Sequence, residues 1–343
     1  MRVLLGMSGG LDSTYAALKL LREGHEVEGA VLLMHDYTEI GEAQAAADSV
    51  GIPLHIIDCK EAFDSIVVSD FIENYKKART PNPCIVCNCK IKFRELQKYA
   101  VEYGFDAIAT GHYAKVVKLE DNGNERFSLA CGDDESKDQT YMLYRLPQSI
   151  LSMLLFPLGE DKKSDVRIQA RSEGLTVADR PESQEICFIP DGDYASFIED
   201  RTEVCPEGDF IDESGKVLGR HKGIIRYTVG QRRGLGISAA TRIFVTKIDV
   251  ENNTVTLSAT DKIYKTLSVS DIIFSGMAAP KEPVSLRVHV KLRYKAPKAS
   301  AVAIFYPDGR AEVILDEPAR AVTPGQSAVF YDGNVVLAGG FID

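Results

Sequence analysis

A glycine-rich turn between an apolar run and a helix-like run constrains the fold of the N-terminal region more than any other feature. Residues 6–13 read Gly-Met-Ser-Gly-Gly-Leu-Asp-Ser, directly after Val3–Leu5 and directly before Thr14–Glu23. Gly9 and Gly10 permit positive φ and let backbone amides approach an anion, and the helix N-terminus adds partial positive charge. No Gly-Lys-Ser/Thr follows, so this is not a Walker motif. The sequence predicts a strand–turn–helix unit that binds phosphate, rather than a tight turn without a ligand.

Length, composition and charge limit the class of protein. The 343 residues suggest two or three domains, and 45% hydrophobic and 26% charged residues are typical of a soluble globular chain. The seven cysteines favour reduced thiols, because there is no basic-then-apolar leader and no stretch of membrane-spanning length. We therefore expect a cytoplasmic protein without membrane contact. The net charge of −10 argues against an all-over basic surface but allows a local nucleic-acid patch.

Strand-like and helix-like runs alternate through residues 1–200, which we predict to be the first domain. Such alternation predicts a doubly wound parallel sheet with helices on both faces, and ligands of these sheets lie at the carboxyl ends of the strands. The glycine-rich turn lies at such an end. The predicted strands are Val27–Leu33, Leu54–Ile57 and Ala107–Ala109, and the predicted helices are Glu42–Val50 and Phe93–Tyr103.

Changes in pattern predict two further domains. In residues 205–265 glycines are frequent and helical periodicity fades, which indicates a small β-rich module. In residues 268–343 apolar and polar residues alternate, and Pro307–Gly309 and Asp332-Gly333 are hairpin signals. We expect an antiparallel β-barrel here, with a sandwich as the alternative. The polar face of one strand consists of Arg287, His289, Lys291 and Arg293.

Cysteines form the second cluster of candidate functional residues. The segment Pro81–Cys89 contains three cysteines and two prolines and precedes a basic helix, while Cys187 lies far along the chain. Nearby cations and a helix N-terminus lower the pKa of a thiol, so we expect a reactive thiolate in this segment. Three alternatives stay open: inert buried thiols, a metal site, or two redox-active thiols brought together by folding. The cysteines of the segment are Cys84, Cys87 and Cys89, whereas Cys59, Cys131 and Cys205 are expected to be inert.

Several motifs in order along the chain resemble those of the tRNA-specific 2-thiouridylases, the MnmA/TrmU family of PP-loop ATP pyrophosphatases. The resemblance covers nearly the whole chain, and the motifs together are far more specific than any one of them. Besides the glycine-rich turn they are Thr80–Pro83, Cys87-Asn88, Ile91–Phe93, Ala109–Ala114, Lys137–Tyr141, Gly159-Glu160, Ile186–Ile189, Thr228–Gly236, Arg293-Tyr294 and Pro324–Gln326.

The resemblance implies an ATP- and Mg²⁺-dependent enzyme that adenylates the C2 oxygen of the wobble uridine in certain tRNAs. A persulfide donor or relay protein then supplies sulfur, which is carried on Cys187. Cys87 acts as the nucleophile that completes the transfer, and it leaves a Cys87–Cys187 disulfide that must be reduced. The target base has to leave its stack to reach the site.

The resemblance also assigns binding residues across the chain. The implied ATP-binding residues are Gly6, Met7, Ser8, Gly9, Gly10, Leu11, Asp12, Ser13, Met34 and Gly111. The implied tRNA-binding residues are Asn82, Pro83, Cys84, His112, Lys137, Asp138, Gln139, Arg293, Tyr294 and Gln326. From the residues alone, Met34 would be a core methionine and Lys137–Gln139 a solvated turn. A basic strand face beside Tyr294 suits contacts with phosphates and stacked bases.

Two positions depart from the family pattern. Cys84 stands where many members have aspartate, and Cys89 stands where lysine is common. Cys84, Cys87 and Cys187 are therefore also a candidate ligand set for an iron–sulfur centre. Two other functions remain open: a PP-loop synthetase that uses a nitrogen nucleophile, and a tRNA- or metal-binding protein with a degenerate ATP site.

Overall fold

The structure is a computed structural model that describes residues 1–121, 123–180, 186–238, 241–320 and 322–343. Strands dominate its C-terminal half. The strands are β1 (Arg2–Gly6), β2 (Glu26–Leu33), β3 (Leu54–Asp58), β4 (Ala107–Thr110), β5 (Ala114–Asp121), β6 (Asn124–Cys131), β7 (Leu154–Leu155), β8 (Gly208–Ile211), β9 (Val217–His221), β10 (Phe244–Asp249), β11 (Thr254–Ser258), β12 (Ile263–Phe274), β13 (Val284–Lys291), β14 (Ala299–Phe305), β15 (Ala311–Arg320), β16 (Ser327–Asp332) and β17 (Val335–Ile342).

Helices are concentrated in the N-terminal half, and two of them are interrupted by π-helical turns. The helices are α1 (Leu11–Arg22), α2 (Ile40–Val50), α3 (Lys60–Phe63), α4 (Ser69–Lys76), α5 (Pro83–Cys87), α6 (Phe93–Glu102), α7 (Thr140–Leu143), α8 (Gln148–Leu151), α9 (Lys163–Ser172) and α10 (Tyr194–Glu199). The π-helical turns Asp64–Val68 and Asn88–Lys92 join α3 to α4 and α5 to α6.

The N-terminal sheet is parallel, as the alternation of runs predicted. Its strand order is β3-β2-β1-β4-β7, with Gly6 paired to Ala30 on one side and to Thr110 on the other. Strands β2 and β3 lie on one side of β1, and β4 and β7 lie on the other. The strand order therefore reverses between β1 and β4, and ligands of such sheets bind at the carboxyl ends of the two strands at this switch point. Helix α1 begins at Leu11, earlier than predicted, because Gly10 has the extended conformation of an N-cap residue.

The central residues form a small sheet of their own, in the order β10-β11-β8-β9. Apolar side chains from its strands and from the loop between β9 and β10 pack together beneath it. The buried members of this small core are Phe210, Ile224, Tyr227, Leu235, Val245, Val255 and Leu257.

The C-terminal strands form the predicted barrel. The antiparallel order β12-β15-β14-β13-β16-β17 closes on itself because β12 also pairs with β17. Alternation along β13 follows the prediction, with Val288 and Val290 buried and Arg287 and His289 exposed. One expectation was wrong: β13 ends at Lys291, so Arg293 and Tyr294 lie in the turn beyond the strand rather than on it.

A hairpin from the N-terminal half extends the barrel sheet. This attachment was not predicted from the sequence. Strands β5 and β6 pair with each other, and β6 joins β17 at Ala130 and Val335. The Ser128 hydroxyl donates to the Val336 carbonyl at 2.6 Å, and the Cys131 amide donates to the Asn334 carbonyl at 2.9 Å. The N-terminal and C-terminal halves are therefore linked by main-chain pairing as well as by side chains.

One apolar core runs through all three parts of the chain. It contains Leu4 of the parallel sheet, Tyr141 of α7, Ile225 of the central region and Tyr331 of the barrel, each at most 1% exposed. Such continuous burial fixes the relative positions of the three parts. Within the described residues, no helix is both long enough and apolar enough to cross a membrane.

Candidate active site

The glycine-rich turn connects β1 to α1 at the switch point of the parallel sheet. Gly9 has φ of 76°, and a Cβ added there would lie 2.7 Å from the carbonyl carbon of Glu42. The turn therefore needs glycine at this position both for its conformation and for its close approach to α2. The Ser13 hydroxyl donates to the Gly10 carbonyl at 3.1 Å and accepts the Ser8 amide at 3.3 Å, which fixes the shape of the turn.

Asp12, in the first turn of α1, has two partners that the sequence analysis did not identify. The Lys163 ammonium, at the start of α9, contacts both carboxylate oxygens, and the Tyr113 hydroxyl donates to one of them at 2.9 Å. The Lys163 side chain is only 10% exposed, against 34% for Asp12. Gly111 packs on the same turn, since a Cβ there would lie 2.7 Å from the Asp12 carbonyl carbon.

The glycine-rich turn, Asp12 and Lys163 fit a nucleoside triphosphate better than they fit a protein-bound Mg²⁺. A turn rich in amides and hydroxyls, a helix N-terminus and a buried lysine all favour an anion. Both Asp12 oxygens already bond Lys163, so this carboxylate is not free to ligate a cation. The geometry indicates that Asp12 fixes the loop and the Lys163 ammonium rather than a metal ion. Mg²⁺ usually arrives on phosphate oxygens with few protein ligands.

The helix that carries the cysteines begins at Pro83 and passes through the π-helical turn Asn88–Lys92 directly after Cys87. Asn82 caps it, because its side-chain oxygen accepts the Cys84 amide at 3.2 Å. Such π-helical turns are frequent at functional sites. The Cys87 thiol lies 3.6 Å from the sulfur of Met34, which directly follows β2, so it is near the same edge of the sheet as the glycine-rich turn.

The thiols form one cluster, but their pKa values are the opposite of those we expected. Burial raises the pKa of Cys87 to about 12 and that of Cys187 to about 11, while Lys92 opposes both shifts. Cys84 and Cys187 reach the surface, yet the protein around the sulfur of Cys84 also raises its pKa. The charge of Cys187 also raises the pKa of Cys87, so these two thiols are within electrostatic range. The expected thiolate was wrong because desolvation outweighs the basic flank.

Aromatic residues anchor the segment of Cys187. Phe188 is 4% exposed and meets Phe63, Phe71 and Phe197 with ring centroids 5.3–5.5 Å apart. Cys187 is an exposed residue next to this anchored ring, although the protein around its sulfur raises the pKa of the thiol. Gln184 and Glu185, which precede this segment, lie outside the described residues.

His112 lies within electrostatic range of Lys92, whose charge also acts on the Cys87 thiol. Its Nδ1 is 2.8 Å from the Thr110 hydroxyl, and its ring lies against Phe93 and Phe156. Burial lowers the pKa of His112 well below its usual value, and the charge of Lys92 lowers it further, so the imidazole is neutral at physiological pH. Among the described residues, no three His, Cys, Asp or Glu side chains are grouped so as to hold a metal ion.

The Lys137–Gln139 segment is tied into the protein interior rather than forming a solvated turn. The Asp138 carboxylate accepts the Thr140 hydroxyl at 2.9 Å and lies 3.8 Å from the Lys291 ammonium. The Gln139 side-chain oxygen accepts the Tyr113 amide at 2.9 Å. Asp138 thus links the segment to Lys291 of the barrel. Gln139 links it to Tyr113, whose hydroxyl donates to Asp12.

The basic face of β13 is not a row of free cations. Arg287 is paired with Asp316, and Lys291 is only 12% exposed beside Asp138. Arg293 donates to the Thr323 hydroxyl at 3.3 Å. The basic face that the alternation predicted is therefore partly neutralised, because Asp316 of β15 and Asp138 of the Lys137–Gln139 segment pair with two of its members.

The buried pair gives a stability prediction. We expect Asp138→Ala to lower the free energy of unfolding by about 3 kcal/mol, because it leaves the Lys291 ammonium buried and unpaired. Asp316→Ala, which breaks the exposed Arg287 pair in the same sheet, should change it little. Urea unfolding of both variants measures the difference. Equal midpoints for the two variants would contradict the buried-pair assignment.

Three family models match successive parts of the chain, and their limits agree with the three parts of the fold. Residues 1–191 match the tRNA methyl transferase HUP domain, residues 195–259 the tRNA methyl transferase PRC-barrel domain and residues 264–342 the aminomethyltransferase β-barrel domain. The class is thus a HUP-domain protein with two β domains, and the HUP domain is consistent with PP-loop use of ATP.

Full-length relatives define the family more closely. The chain is 44% identical over 359 residues to the tRNA-specific 2-thiouridylase MnmA of Acetivibrio thermocellus, with 99% of each chain covered. It is 44% identical over 360 residues to MnmA 2 of Caldanaerobacter subterraneus, covering 100% of this chain and 98% of the relative. The chain belongs to the MnmA family of tRNA-specific 2-thiouridylases.

Proposed function

We propose that this protein is an ATP-dependent tRNA-uridine 2-sulfurtransferase, in agreement with the name tRNA-specific 2-thiouridylase that its relatives carry. One observation supports this most: Cys87 contacts Met34 at the sheet edge that also carries the glycine-rich turn. A nucleotide bound at that turn would lie at the same edge of the sheet as the Cys87 thiol, so both could act on one substrate. A PP-loop enzyme with a nitrogen nucleophile has no use for paired thiols.

In the first half-reaction, the uridine C2 oxygen attacks the α-phosphate of ATP, pyrophosphate leaves and the oxygen becomes part of an AMP leaving group. We propose that Gly6–Ser13 hold the triphosphate, with Gly111 behind the turn and Met34 towards the adenine. Lys163 supplies the positive charge that a Walker lysine gives elsewhere. Mg²⁺, bound through the phosphates, would neutralise their charge. Asp12, which accepts the Tyr113 hydroxyl, holds the Lys163 ammonium in place until ATP binds.

In the second half-reaction, the outer sulfur of a Cys187 persulfide attacks C2 and AMP leaves. The Cys87 thiolate then attacks the Cys187 sulfur, which breaks the bond to the transferred sulfur and releases 2-thiouridine. Two thiols are oxidised to a disulfide while the sulfane sulfur is reduced, so the electrons balance. Lys92 favours the thiolates, since it lowers the pKa of both Cys87 and Cys187 against the effect of burial.

We further propose that tRNA lies over the thiol cluster, with Asn82, Pro83, Cys84, His112, Lys137, Arg293 and Tyr294 as contacts. The neutral His112 suits hydrogen bonding to a flipped base. For Asp138, Gln139 and Gln326, the intramolecular partners support a role in holding these contacts in place. The disulfide must be reduced after each turnover, which suits a cytosolic setting with a persulfide donor or relay protein.

A direct assay tests this function. We expect ATP, polysulfide and wobble-uridine tRNA to yield 2-thiouridine in digested tRNA, detected by mass spectrometry, with tRNA-stimulated release of pyrophosphate. Replacing polysulfide by ammonium should stop product formation but leave the adenylation step intact. Pyrophosphate release that does not depend on tRNA, with no thiolated nucleoside, would contradict the proposal.

A further inference from the structure

Three loops from the three parts of the chain meet just before the cysteine helix, at Thr80, Thr228 and Gln326; we call this the three-loop junction. The Gln326 side-chain amide donates to the Thr80 carbonyl at 2.6 Å, and the Thr80 amide donates to the Pro324 carbonyl at 2.9 Å. The Thr80 hydroxyl bonds the Thr228 hydroxyl at 3.2 Å. The polar groups of Thr80 are thus bonded to the barrel and to the central module.

The junction is tightly packed. Gly325 has φ of 87°, and a Cβ there would lie 2.9 Å from the Arg79 Cβ and 3.0 Å from the Thr80 nitrogen. The Thr323 hydroxyl donates to the Val229 carbonyl at 3.4 Å. The barrel loop therefore sits directly on the backbone that leads into the cysteine helix, with no space for an intervening side chain.

The cysteine segment is also held from α7, at both of its ends. The Asn82 side-chain amide lies 3.2 Å from the Met142 sulfur, and the Asn88 side-chain amide donates to the Met142 carbonyl at 3.1 Å. Helix α7, which contains Met142, is in turn fixed to the barrel because the Tyr141 hydroxyl donates to the Ser327 carbonyl at 3.0 Å. Both ends of the segment around Cys84 and Cys87 thus depend on the start of β16.

We propose that Gln326 is a positioning residue for sulfur transfer: its amide fixes Thr80, and through Thr80 it fixes the cysteine helix relative to Cys187. This inference rests on the proposed roles of Cys87 and Cys187. The barrel thereby sets the geometry of a reaction on the N-terminal domain. ATP binding does not require this contact, because the glycine-rich turn and Lys163 are bonded to other groups.

The test isolates one thiol reaction from tRNA and ATP. The protein is loaded with polysulfide, so that Cys187 carries a persulfide. The Cys87 thiolate then attacks the Cys187 sulfur, hydrosulfide leaves, and a Cys87–Cys187 disulfide forms; two thiols are oxidised as one sulfane sulfur is reduced. Hydrosulfide release gives the rate, and mass spectrometry identifies the disulfide.

For Gln326→Leu, which keeps the size but removes the donor, we expect hydrosulfide release to slow about tenfold or more, while the affinity for ATP stays within about twofold. The matched control is Gln97→Leu, which removes another amide-to-carbonyl bond of 2.6 Å, to Ser149, away from the cysteines. Its hydrosulfide release should equal that of the parent, and the thermal midpoints of the two variants should agree.

The outcomes separate the two proposals. Parent protein that forms no Cys87–Cys187 disulfide would contradict the proposed function itself. Parent protein that forms the disulfide, with Gln326→Leu equally fast, would overturn the positioning role alone. If Gln326→Leu does not fold, Gln326→Asn keeps the polar group but is one methylene shorter, and the same slowing is expected of it.

Discussion

Cys187→Ser is expected to carry no sulfane sulfur, whereas Cys87→Ser should carry it and still make no 2-thiouridine above background. A serine hydroxyl forms no persulfide, so loss of Cys187 removes the carrier. Loss of Cys87 leaves the carrier but removes the nucleophile that releases the product from Cys187. Intact-protein mass spectrometry after polysulfide loading, followed by nucleoside analysis of tRNA, measures both effects.

Cys205→Ser is the control, since Cys205 is a free, half-buried cysteine that we assign no role. It should load sulfane sulfur and produce 2-thiouridine as the parent does. Sulfane sulfur retained by Cys187→Ser, or full product formation by Cys87→Ser, would contradict the assignment of the two thiols.

The raised pKa of Cys87 adds a pH dependence to the same prediction. The reactive form is the thiolate, and burial raises the pKa of Cys87 to about 12, so its thiolate fraction increases with pH throughout the physiological range. Hydrosulfide release from the loaded protein should therefore rise roughly tenfold per pH unit between about pH 7 and 9. A plateau already reached near neutral pH would mean that the thiol is activated in the resting protein, as its basic flank had suggested.

Local pattern was sufficient to predict much of this fold. The parallel sheet follows from the spacing of apolar runs, and the barrel from alternation with turn signals, because those signals act over a few residues. The hairpin of β5 and β6 carried such a signal as well, the Asn122-Gly123 dipeptide, with Asn122 outside the described residues. Its attachment to β17 was beyond sequence reasoning, because that pairing joins residues more than two hundred positions apart.

Only those parts of the site that lie within one continuous motif could be predicted from the sequence. The glycine-rich turn and the cysteine segment are each continuous in sequence, and the turn lies at the carboxyl end of β1, as predicted. Lys163 was missed because its partner Asp12 is 151 residues away. The effect of burial on the thiols could not be predicted either. The residues that follow Cys87 are basic, yet burial raises the pKa of Cys87 more than Lys92 lowers it. Likewise Asp138 and Lys291 look like surface charges until folding buries them against each other.

Lys163→Met is expected to lower tRNA-dependent pyrophosphate release about a hundredfold, because it removes the buried cation from the phosphate site. The control is Lys162→Met, the same substitution at an exposed neighbour that precedes α9, which should keep the parental rate. Hydrosulfide release from the polysulfide-loaded protein should be unchanged in both variants, because it needs no ATP.

Lys163→Met also leaves the Asp12 carboxylate without its cation, so loss of activity has to be distinguished from loss of folding. The double variant Asp12→Asn with Lys163→Met separates the two causes, since it removes both charges together. We expect its thermal midpoint to return towards that of the parent while pyrophosphate release stays about a hundredfold low. If the double variant recovered the parental rate, Lys163 would serve only to neutralise Asp12. The positive charge for the phosphates would then have to come from Mg²⁺ and the backbone amides of the turn.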